Sequence, residues 1–332
     1  MRKSELFTPW TMAFLFAASP VLRATPADFA ADCARRAAAA DAARQRVVPG
    51  DAPGWLFTTS DLKHLGLGEF WEKRLSNGDP VDVISSYQKS LQSLGIEMVV
   101  VPVPPKASIY PDKLNAGMSA EGGVFATEPF FEKLRTVGVT VVDLEPIFRS
   151  ARARDKVYCE QDSHWSPLAC RLAAESISAL PSVRKLFAVQ EPALRAGEEI
   201  TITGDLVDAM PKAVSGKETL SVFKAAAQPL PPDDESPVLL IGDSHTVVFS
   251  EAAGTIRHHT TGAGLRDHLQ VRLGTAMAVA TNASSGGDGA RALVARKTQS
   301  NPDFWKGKKL VVWCFATREL TQGRWREIPP QP

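Results

Sequence analysis

Continuous apolar runs recur along the chain and predict buried β-strands. Residues 97–103 (EMVVVPV), 238–241 (VLLI) and 309–315 (KLVVWCF) contain few polar side chains. Runs of this kind are typical of parallel strands that are covered on both faces. Two further apolar segments, residues 139–144 and 276–281, predict strands of the same type.

The segments between these runs repeat their apolar residues at helical spacing. Strands that alternate with helices favour a mostly parallel sheet with helices on both faces. Ligands of such sheets bind beyond the carboxyl ends of the strands, so the residues after each strand are candidates for chemistry. Residues 55–57 predict one more short strand, and residues 181–236 are less regular. Helices are predicted over residues 28–46, 82–94, 128–137, 167–179, 265–273 and 289–298, and directly after Ser244.

The first 24 residues have the features of a secretory signal. Arg2 and Lys3 give a positive start, and residues 10–19 form an apolar stretch that is too short to span a bilayer comfortably. Cleavage is predicted after Ala24. An uncleaved membrane anchor is the alternative interpretation of the same segment.

Length and composition fit one large α/β domain with an N-terminal extension. The chain has 332 residues, of which 44% are hydrophobic. We expect a signal peptide over residues 1–24, a helical segment over 25–49 and one main domain over 50–328. The net charge is +1 with 23% charged residues, so no overall field indicates nucleic-acid binding.

The chain contains four cysteines, an even number that permits disulfides in an exported protein. Cys159 and Cys170 flank one segment, and a bridge between them is an open alternative that sequence does not decide. Cys314 lies within an apolar run and is expected to be a buried thiol. The pairing of these residues and of Cys33 stays undecided.

A short polar interruption follows the apolar run at 238–241, where the sequence reads Gly242-Asp243-Ser244. Gly242 permits a tight turn, and a helix after Ser244 would aim backbone N–H groups at its hydroxyl. A serine in this position is a candidate nucleophile once a base accepts its proton. The alternative is an ordinary turn with Ser244 as the N-cap.

A candidate base and acid stand together in the segment QDSHWSP, just before a predicted helix that Ser166 and Pro167 begin. Asp162 lies two residues before His164, and a carboxylate beside an imidazole fixes its tautomer and stabilises its charged form. Trp165 is expected to shield the ring from water. The alternative is that Asp162 caps a turn and that His164 is a surface residue.

Metal binding is a second interpretation of this segment. Cys159, Asp162 and His164 offer ligands, but no C-x-x-C or H-x-x-x-H spacing accompanies them. No metal or other cofactor is therefore predicted. His245 is expected on the far side of the turn at Ser244 or along the pocket. The other histidines are expected in loops or on the surface: His64, His258, His259 and His268.

Several motifs in order resemble the SGNH hydrolase-like domain of the AlgJ/AlgX family, exported polysaccharide O-acetyltransferases first known for alginate. The resemblance implies an SGNH-hydrolase-like three-layer α/β/α sandwich with a mostly parallel central sheet. It also implies a nucleophile at Ser244, a base at His164 and an orienting acid at Asp162. The motifs are Gly54 to Phe57, Val103 to Lys106, Ile109 to Pro111, Asp162 to Trp165, Gly204 to Leu206, Ile241 to Ser244 and Trp313 to Leu320.

The resemblance also implies a setting for the reaction. It indicates a periplasmic protein with a polysaccharide acceptor, and an acetyl donor relayed by a membrane-bound O-acyltransferase. The carbohydrate-binding module of some family members is not expected here, so polymer would bind the catalytic domain or a partner. The polymer is not fixed, because cellulose or another exopolysaccharide is as compatible with these residues as alginate.

Further site residues are predicted less directly. The backbone N–H of Ser244 is expected to stabilise an oxyanion, with Asn282 and Gly286 as additional candidates. Turn chemistry is the alternative for Asn282. Three residues beyond predicted strand ends are candidates for sugar contacts, with a surface or structural ion-pair role as the alternative for each: Lys106, Tyr110 and Arg318.

Three functions remain open on the sequence alone. The first is acetyl transfer from an acetyl-enzyme to a sugar hydroxyl. The second is an esterase in which water attacks the same intermediate, since acceptor choice depends on pocket shape and water exclusion. The third is a non-catalytic polysaccharide-binding scaffold on the same fold.

Overall fold

The computed structural model describes residues 25–73, 75–120, 127–192, 197–210, 216–225, 230–250 and 259–330. The predicted signal peptide and His258 lie outside these ranges. Within the described ranges, no helix is both long enough and apolar enough to cross a membrane.

The described helices and strands alternate in the predicted manner. The helices are α1 (Pro26–Ala42), α2 (Thr59–Gly66), α3 (Pro80–Ser93), α4 (Lys106–Ile109), α5 (Pro111–Leu114), α6 (Glu128–Thr136), α7 (Glu145–Ala151), α8 (Pro167–Ala179), α9 (Pro181–Leu186), α10 (Leu265–Leu273), α11 (Asp288–Ser300) and α12 (Glu319–Gln322). The strands are β1 (Val47–Pro49), β2 (Leu56–Thr58), β3 (Glu97–Val103), β4 (Thr140–Val141), β5 (Glu198–Ile202), β6 (Glu218–Val222), β7 (Val238–Gly242), β8 (Ala278–Thr281) and β9 (Leu310–Ala316). Single 3-10 turns lie at Phe70–Glu72, Val207–Ala209 and Ser244–Thr246.

A five-stranded sheet in the order β4-β3-β9-β7-β8 forms the centre of the described chain. All of its neighbouring strands run parallel. Val312 in the middle of β9 pairs with Val99 of β3 on one side and with Leu240 of β7 on the other. The sequence expectation of a mostly parallel sheet is confirmed. Two short antiparallel pairs, β1 with β2 and β5 with β6, lie outside this sheet.

Apolar side chains fill both faces of the sheet, which gives the fold three layers. On β9, Val312 packs in a cluster with residues of α1, α8 and α10, whereas its neighbour Trp313 packs with residues of α3, α6 and α11. Successive strand residues point to opposite faces, so helices cover each side. The predicted three-layer α/β/α architecture is therefore confirmed.

Helix α8 shows how local sequence sets an element boundary near the site. The Ser166 hydroxyl accepts a hydrogen bond from the Ala169 N–H at 3.3 Å, and Pro167 occupies the first helical position. This is the predicted cap, and it fixes where the chain leaves the segment that carries His164.

Three expectations about elements need correction. The strand predicted over residues 139–144 pairs only at Thr140–Val141. The region 181–236 was expected to be less regular, but it contains helix α9 and the antiparallel strand pair β5 and β6. The helix predicted directly after Ser244 is wrong within the described residues, because only a 3-10 turn forms there, at Ser244–Thr246. Phe249 has a φ of 62°, in the left-handed region that a continuing helix excludes.

All four cysteines lie within the described residues and are buried free thiols. The structure therefore contains no bridge between Cys159 and Cys170. The expectation for Cys314 is confirmed, since its side chain is fully buried in β9. Cys33 packs in the core from α1, so the N-terminal helix shares the core of the sheet layers.

Candidate active site

Ser244, His164 and Asp162 form a continuous hydrogen-bonded chain. The His164 Nε2 atom lies 2.7 Å from the Ser244 Oγ atom, and the His164 Nδ1 atom lies 2.6 Å from the Asp162 Oδ1 atom. All three residues are buried, with Ser244 6% exposed. This order of hydroxyl, imidazole and carboxylate is the arrangement that activates a serine nucleophile.

Ser244 lies at the carboxyl edge of the sheet, just after the end of β7 makes a close contact with β9. A Cβ atom on Gly242 would lie 1.6 Å from the carbonyl oxygen of Cys314, so only glycine fits at the end of this strand. The chain then turns in the 3-10 segment Ser244–Thr246. Ser244 is therefore the first residue free of the sheet.

Asp243 braces this turn. Its Oδ1 atom accepts hydrogen bonds from the backbone N–H of His245 at 3.0 Å and from the His245 Nδ1 atom at 2.8 Å. Its Oδ2 atom accepts the Ala316 N–H at 2.7 Å, which ties the turn to β9. Burial opposes the charge of Asp243, but His245 and these donors hold its pKa well below the usual value. Asp243, not Ser244, is thus the N-cap.

A short hairpin before α8 carries the base and the acid. Tyr158 and Trp165 form an antiparallel bridge, and the Cys159 N–H donates to the His164 carbonyl at 3.3 Å. The Asp162 Oδ1 atom also accepts the His164 backbone N–H at 3.0 Å. The two residues therefore hold each other within one tight loop, which a D-x-H spacing permits.

Lys106 holds this hairpin in place through hydrogen bonds. Its side chain is buried, and the Nζ atom donates to the carbonyls of Asp162 at 2.6 Å, Leu56 at 2.8 Å and Glu160 at 3.2 Å. Burial lowers the pKa of Lys106, and nearby acidic groups oppose that shift. The three carbonyls use all three donors of an ammonium group.

The second oxygen of Asp162 is also occupied. Its Oδ2 atom accepts the Asp205 N–H at 3.0 Å and lies 3.0 Å from the Nε2 atom of His259. A Cβ atom on Gly204 would lie 2.0 Å from the Gln161 carbonyl oxygen, so glycine is needed for Asp205 to come this close. The Asp205 carboxylate in turn accepts the Ser163 N–H and hydroxyl, each at 2.6 Å.

These contacts shift the pKa values of Asp162 and His164. Burial would raise the pKa of Asp162, but the hydrogen bond and charge of His164, together with His259 and Asp205, hold it well below its usual value. Burial would lower the pKa of His164, but Asp162 raises it above its usual value. An ionised carboxylate thus faces an imidazole that is ready to accept a proton.

His245 lies beside the base rather than on the far side of the turn. The ring centroids of His245 and His164 are 5.1 Å apart. Burial lowers the pKa of His245. Trp165, expected to shield His164, is fully buried and packs edge-on against His245, with ring centroids 5.4 Å apart. His245 and Trp165 therefore form one packed pair of rings beside His164.

Ligand atoms of Asp162, His164 and Asp205 lie within 4.8 Å of one another, close enough to hold a metal ion. Asp162 and His164 are the residues that the sequence offered for this role, and Asp205 joins them in place of Cys159. These residues already hydrogen-bond to one another or to Ser163, and an ion would have to replace those bonds.

The two oxyanion candidates lie on the loop after β8. The Asn282 backbone N–H donates to the Gly242 carbonyl at 2.9 Å, and the Asn282 Oδ1 atom accepts the Ser284 N–H at 3.1 Å. A Cβ atom on Gly286 would lie 3.2 Å from the Asp243 nitrogen. These residues pack beside the turn that presents Ser244, and the contact of Asn282 with Ser284 is the turn chemistry that was the alternative.

The three residues predicted to contact sugar are all engaged inside the protein. Lys106 and Arg318 line a small cavity together with Ser163 and His245. An Arg318 Nη1 atom lies 3.0 Å from Asp61 Oδ1.

Tyr110 lies farther from the triad. Its hydroxyl accepts the Val157 N–H at 3.0 Å, and its ring centroid lies 4.5 Å from that of Trp55. Its contacts therefore hold the loop before His164, and a sugar contact at any of these three residues stays a prediction.

Sequence reasoning missed His259 and misjudged two other histidines. No short motif surrounds His259 in the sequence, so only its three-dimensional contact with Asp162 reveals it. His64 and His268 are buried, which corrects their expected surface position. The His64 Nδ1 atom bonds to the Thr321 hydroxyl at 2.9 Å, a partner far along the chain.

A buried Ser–His–Asp chain at the carboxyl edge of a three-layer α/β/α sandwich defines a protein of the serine-triad class. Residues 47–317 match the family model described as SGNH hydrolase-like domain, acetyltransferase AlgX. The chain therefore belongs to this family, and the family resemblance found in the sequence is confirmed.

Curated relatives agree with the family. The probable alginate O-acetylase AlgJ of Pseudomonas aeruginosa is 29% identical over 162 residues, which are 48% of this chain and 39% of the relative. The corresponding Pseudomonas putida protein is 24% identical over 275 residues, which are 80% of this chain and 68% of the relative.

Two solved structures share the fold. The O-acetyltransferase domain of Pseudomonas putida AlgJ has a TM-score of 0.60 at 22% identity, covering 84% of this chain and 93% of that structure. Pseudomonas aeruginosa AlgX has a TM-score of 0.58 at 17% identity, covering 90% of this chain and 68% of that structure.

Proposed function

We propose that the chain is a polysaccharide O-acetyltransferase that works through an acetyl-enzyme on Ser244. The observation that carries the proposal is the hydrogen-bonded chain from the Ser244 hydroxyl through His164 to Asp162, at 2.7 Å and 2.6 Å. Family membership and the names of the AlgJ relatives favour acetyl as the transferred group.

The first half-reaction forms the acetyl-enzyme. His164 Nε2 accepts the hydroxyl proton while the Ser244 Oγ atom attacks the carbonyl carbon of the donor. The Ser244 backbone N–H then donates to the oxyanion of the tetrahedral intermediate. The C–O bond to the donor then breaks, and the leaving oxygen takes the proton from His164.

The second half-reaction transfers the acetyl group. A sugar hydroxyl gives its proton to His164 Nε2 and attacks the acetyl carbon, and the Ser244 Oγ atom leaves and recovers a proton from His164. Throughout the cycle Asp162 stays ionised and stabilises the imidazolium. An esterase would differ only in that water replaces the sugar.

The acceptor and the setting of the reaction belong to the same proposal. The names of the AlgJ relatives make alginate the first acceptor to test. We further propose a periplasmic location and a donor relayed by a membrane-bound O-acyltransferase. Fractionation of cells that produce the full chain tests the location, and recovery of the protein in the cytoplasmic fraction would contradict it.

One experiment separates transfer from hydrolysis. The purified protein is incubated with p-nitrophenyl acetate and either mannuronate oligomers or cello-oligomers, and sugars and acetate are measured by mass spectrometry. Acetylated sugar that is absent with Ser244→Ala supports the proposal. Free acetate alone identifies an esterase, and no Ser244-dependent product of either kind identifies a non-catalytic scaffold.

A further inference from the structure

His259 touches the triad from the side opposite His164. Its Nε2 atom lies 3.0 Å from the Asp162 Oδ2 atom, and its side chain is 9% exposed. The only role of an ionised carboxylate oxygen in a hydrogen bond is that of acceptor, so the His259 Nε2 atom carries the proton and donates.

This contact completes the hydrogen bonding of Asp162 among the described residues. Oδ1 accepts the backbone N–H of His164 at 3.0 Å and its Nδ1 atom at 2.6 Å. Oδ2 accepts the Asp205 N–H at 3.0 Å and the His259 Nε2–H at 3.0 Å. Two donors on each oxygen fix the plane of the carboxylate, so that Oδ1 stays aligned with the His164 ring.

His259 connects the acid, Asp162, to the chain segment that carries the nucleophile, Ser244. Ser244 and His259 both contact the pair of Asp162 and His164, one at each end. The ring centroid of His259 lies 6.0 Å from that of Phe249, which is buried on the segment that follows Ser244. The segment that presents the nucleophile therefore also contacts the residue that holds the acid.

We propose that His259 is a positioning residue of this triad. It donates its Nε2–H to Asp162, orients the carboxylate toward His164 and disperses the carboxylate's negative charge. The inference rests on the proposed function, because it assigns His259 a part in activating Ser244. His259 itself forms no bond to the substrate.

The role predicts a change in pH dependence as well as in rate. Without the N–H donor of His259, the Asp162 carboxylate keeps more negative charge on the oxygen that faces His164. The proton of His164 is then held more tightly, so the acid limb of the pH profile moves to higher pH. A residue that only filled space would lower activity without moving this limb.

The test compares His259→Leu with His259→Gln in the full chain. Leu fills a similar volume without a donor, whereas the Gln side-chain amide restores an N–H near the position of Nε2. For hydrolysis of p-nitrophenyl acetate we expect kcat/KM to fall about tenfold to hundredfold in the Leu variant, and to recover most of this loss in the Gln variant.

The pH profiles decide between positioning and packing. The proposal expects the acid limb of His259→Leu at higher pH than that of the unaltered chain, and the limb of His259→Gln near the unaltered one. An unmoved limb in His259→Leu, with or without lost activity, would overturn the role of His259. Ser244→Ala is measured in parallel as the test of the proposed function. If Ser244→Ala is inactive, the proposed function stands whatever the His259 variants do. If Ser244→Ala stays active, the proposed function itself fails.

Discussion

The Ser244 Oγ atom and the His164 Nε2 atom lie 2.7 Å apart although they come from separate loops of the sheet edge. Ser244 follows β7, and its turn is held by Asp243. His164 lies in the hairpin before α8, and Lys106 binds the carbonyls of that hairpin. Each loop is thus fixed by its own buried contacts, so the two side chains meet without a large rearrangement.

Replacement of Ser244 by alanine is expected to remove activity but keep the fold. The Asp243 side chain caps the turn, so loss of the Ser244 hydroxyl should change the free energy of unfolding by only about 1 kcal/mol. Turnover of an acetyl ester should fall at least about a thousandfold. Ester hydrolysis and thermal unfolding measure the two effects.

Ser284→Ala is the matched control for this variant, since Ser284 is exposed on the neighbouring loop after β8. It should retain full activity. Comparable activity losses in the two variants, or unfolding of Ser244→Ala, would contradict a catalytic role that is separate from folding.

The pH dependence should report the raised pKa of His164. His164 must be unprotonated to accept the Ser244 proton, so activity falls as the pH drops through its pKa. Because Asp162 raises that pKa, the acid limb of kcat/KM is expected to have its midpoint above the ordinary value of 6.5. Asp162→Asn removes the raising charge and should lower the rate and move the limb to lower pH. A limb below 6.5 in the unaltered chain would contradict this electrostatic account.

Lys106→Met is expected to weaken both fold and site. Three buried carbonyls would lose their donor, which should lower the free energy of unfolding by about 2–5 kcal/mol. The hairpin with Asp162 would lose an anchor, so acetyl-ester hydrolysis should fall as well. Denaturant unfolding and initial rates measure the effects.

Lys89 offers a control for Lys106, because it is exposed on α3. Lys89→Met should change stability by less than about 0.5 kcal/mol. If Lys106→Met is as stable and active as this control but has lost affinity for an oligosaccharide acceptor, Lys106 would be a sugar contact and not an anchor.

Gly242→Ala should disrupt the presentation of Ser244. The added Cβ atom would lie 1.6 Å from the Cys314 carbonyl oxygen, so β7 and β9 must separate. Gly95→Ala is the comparison: it also has a positive φ, of 73°, but no atom within 4 Å of the added Cβ. We expect Gly95→Ala to cost about 1 kcal/mol and Gly242→Ala to cost several times more. Equal losses in thermal unfolding would show that the close contact with β9 is not required.

The fold was largely predictable because its strands are continuous apolar runs and its helices have clear amphipathic spacing. Strand β3 begins and ends where the sequence predicted, at Glu97–Val103. The helix expected after Ser244 failed, because apolar content alone does not reveal that the segment forms a 3-10 turn and that Phe249 adopts a positive φ.

The triad residues were identifiable because each lies in a short motif beside an element boundary. Burial and long-range contacts were not identifiable in the same way. Sequence places Lys106 after a strand but does not show that its ammonium points inward onto the hairpin. The contact of His259 with Asp162 likewise joins residues that no local pattern connects.

The most direct test of the account is mass spectrometry of the protein after brief incubation with p-nitrophenyl acetate, stopped with acid. The account predicts one acetyl group on the peptide that contains Ser244, and none on that peptide in Ser244→Ala. Steady release of p-nitrophenol with no acetyl group on Ser244, or an acetyl group carried by another residue instead, would contradict the acetyl-enzyme mechanism.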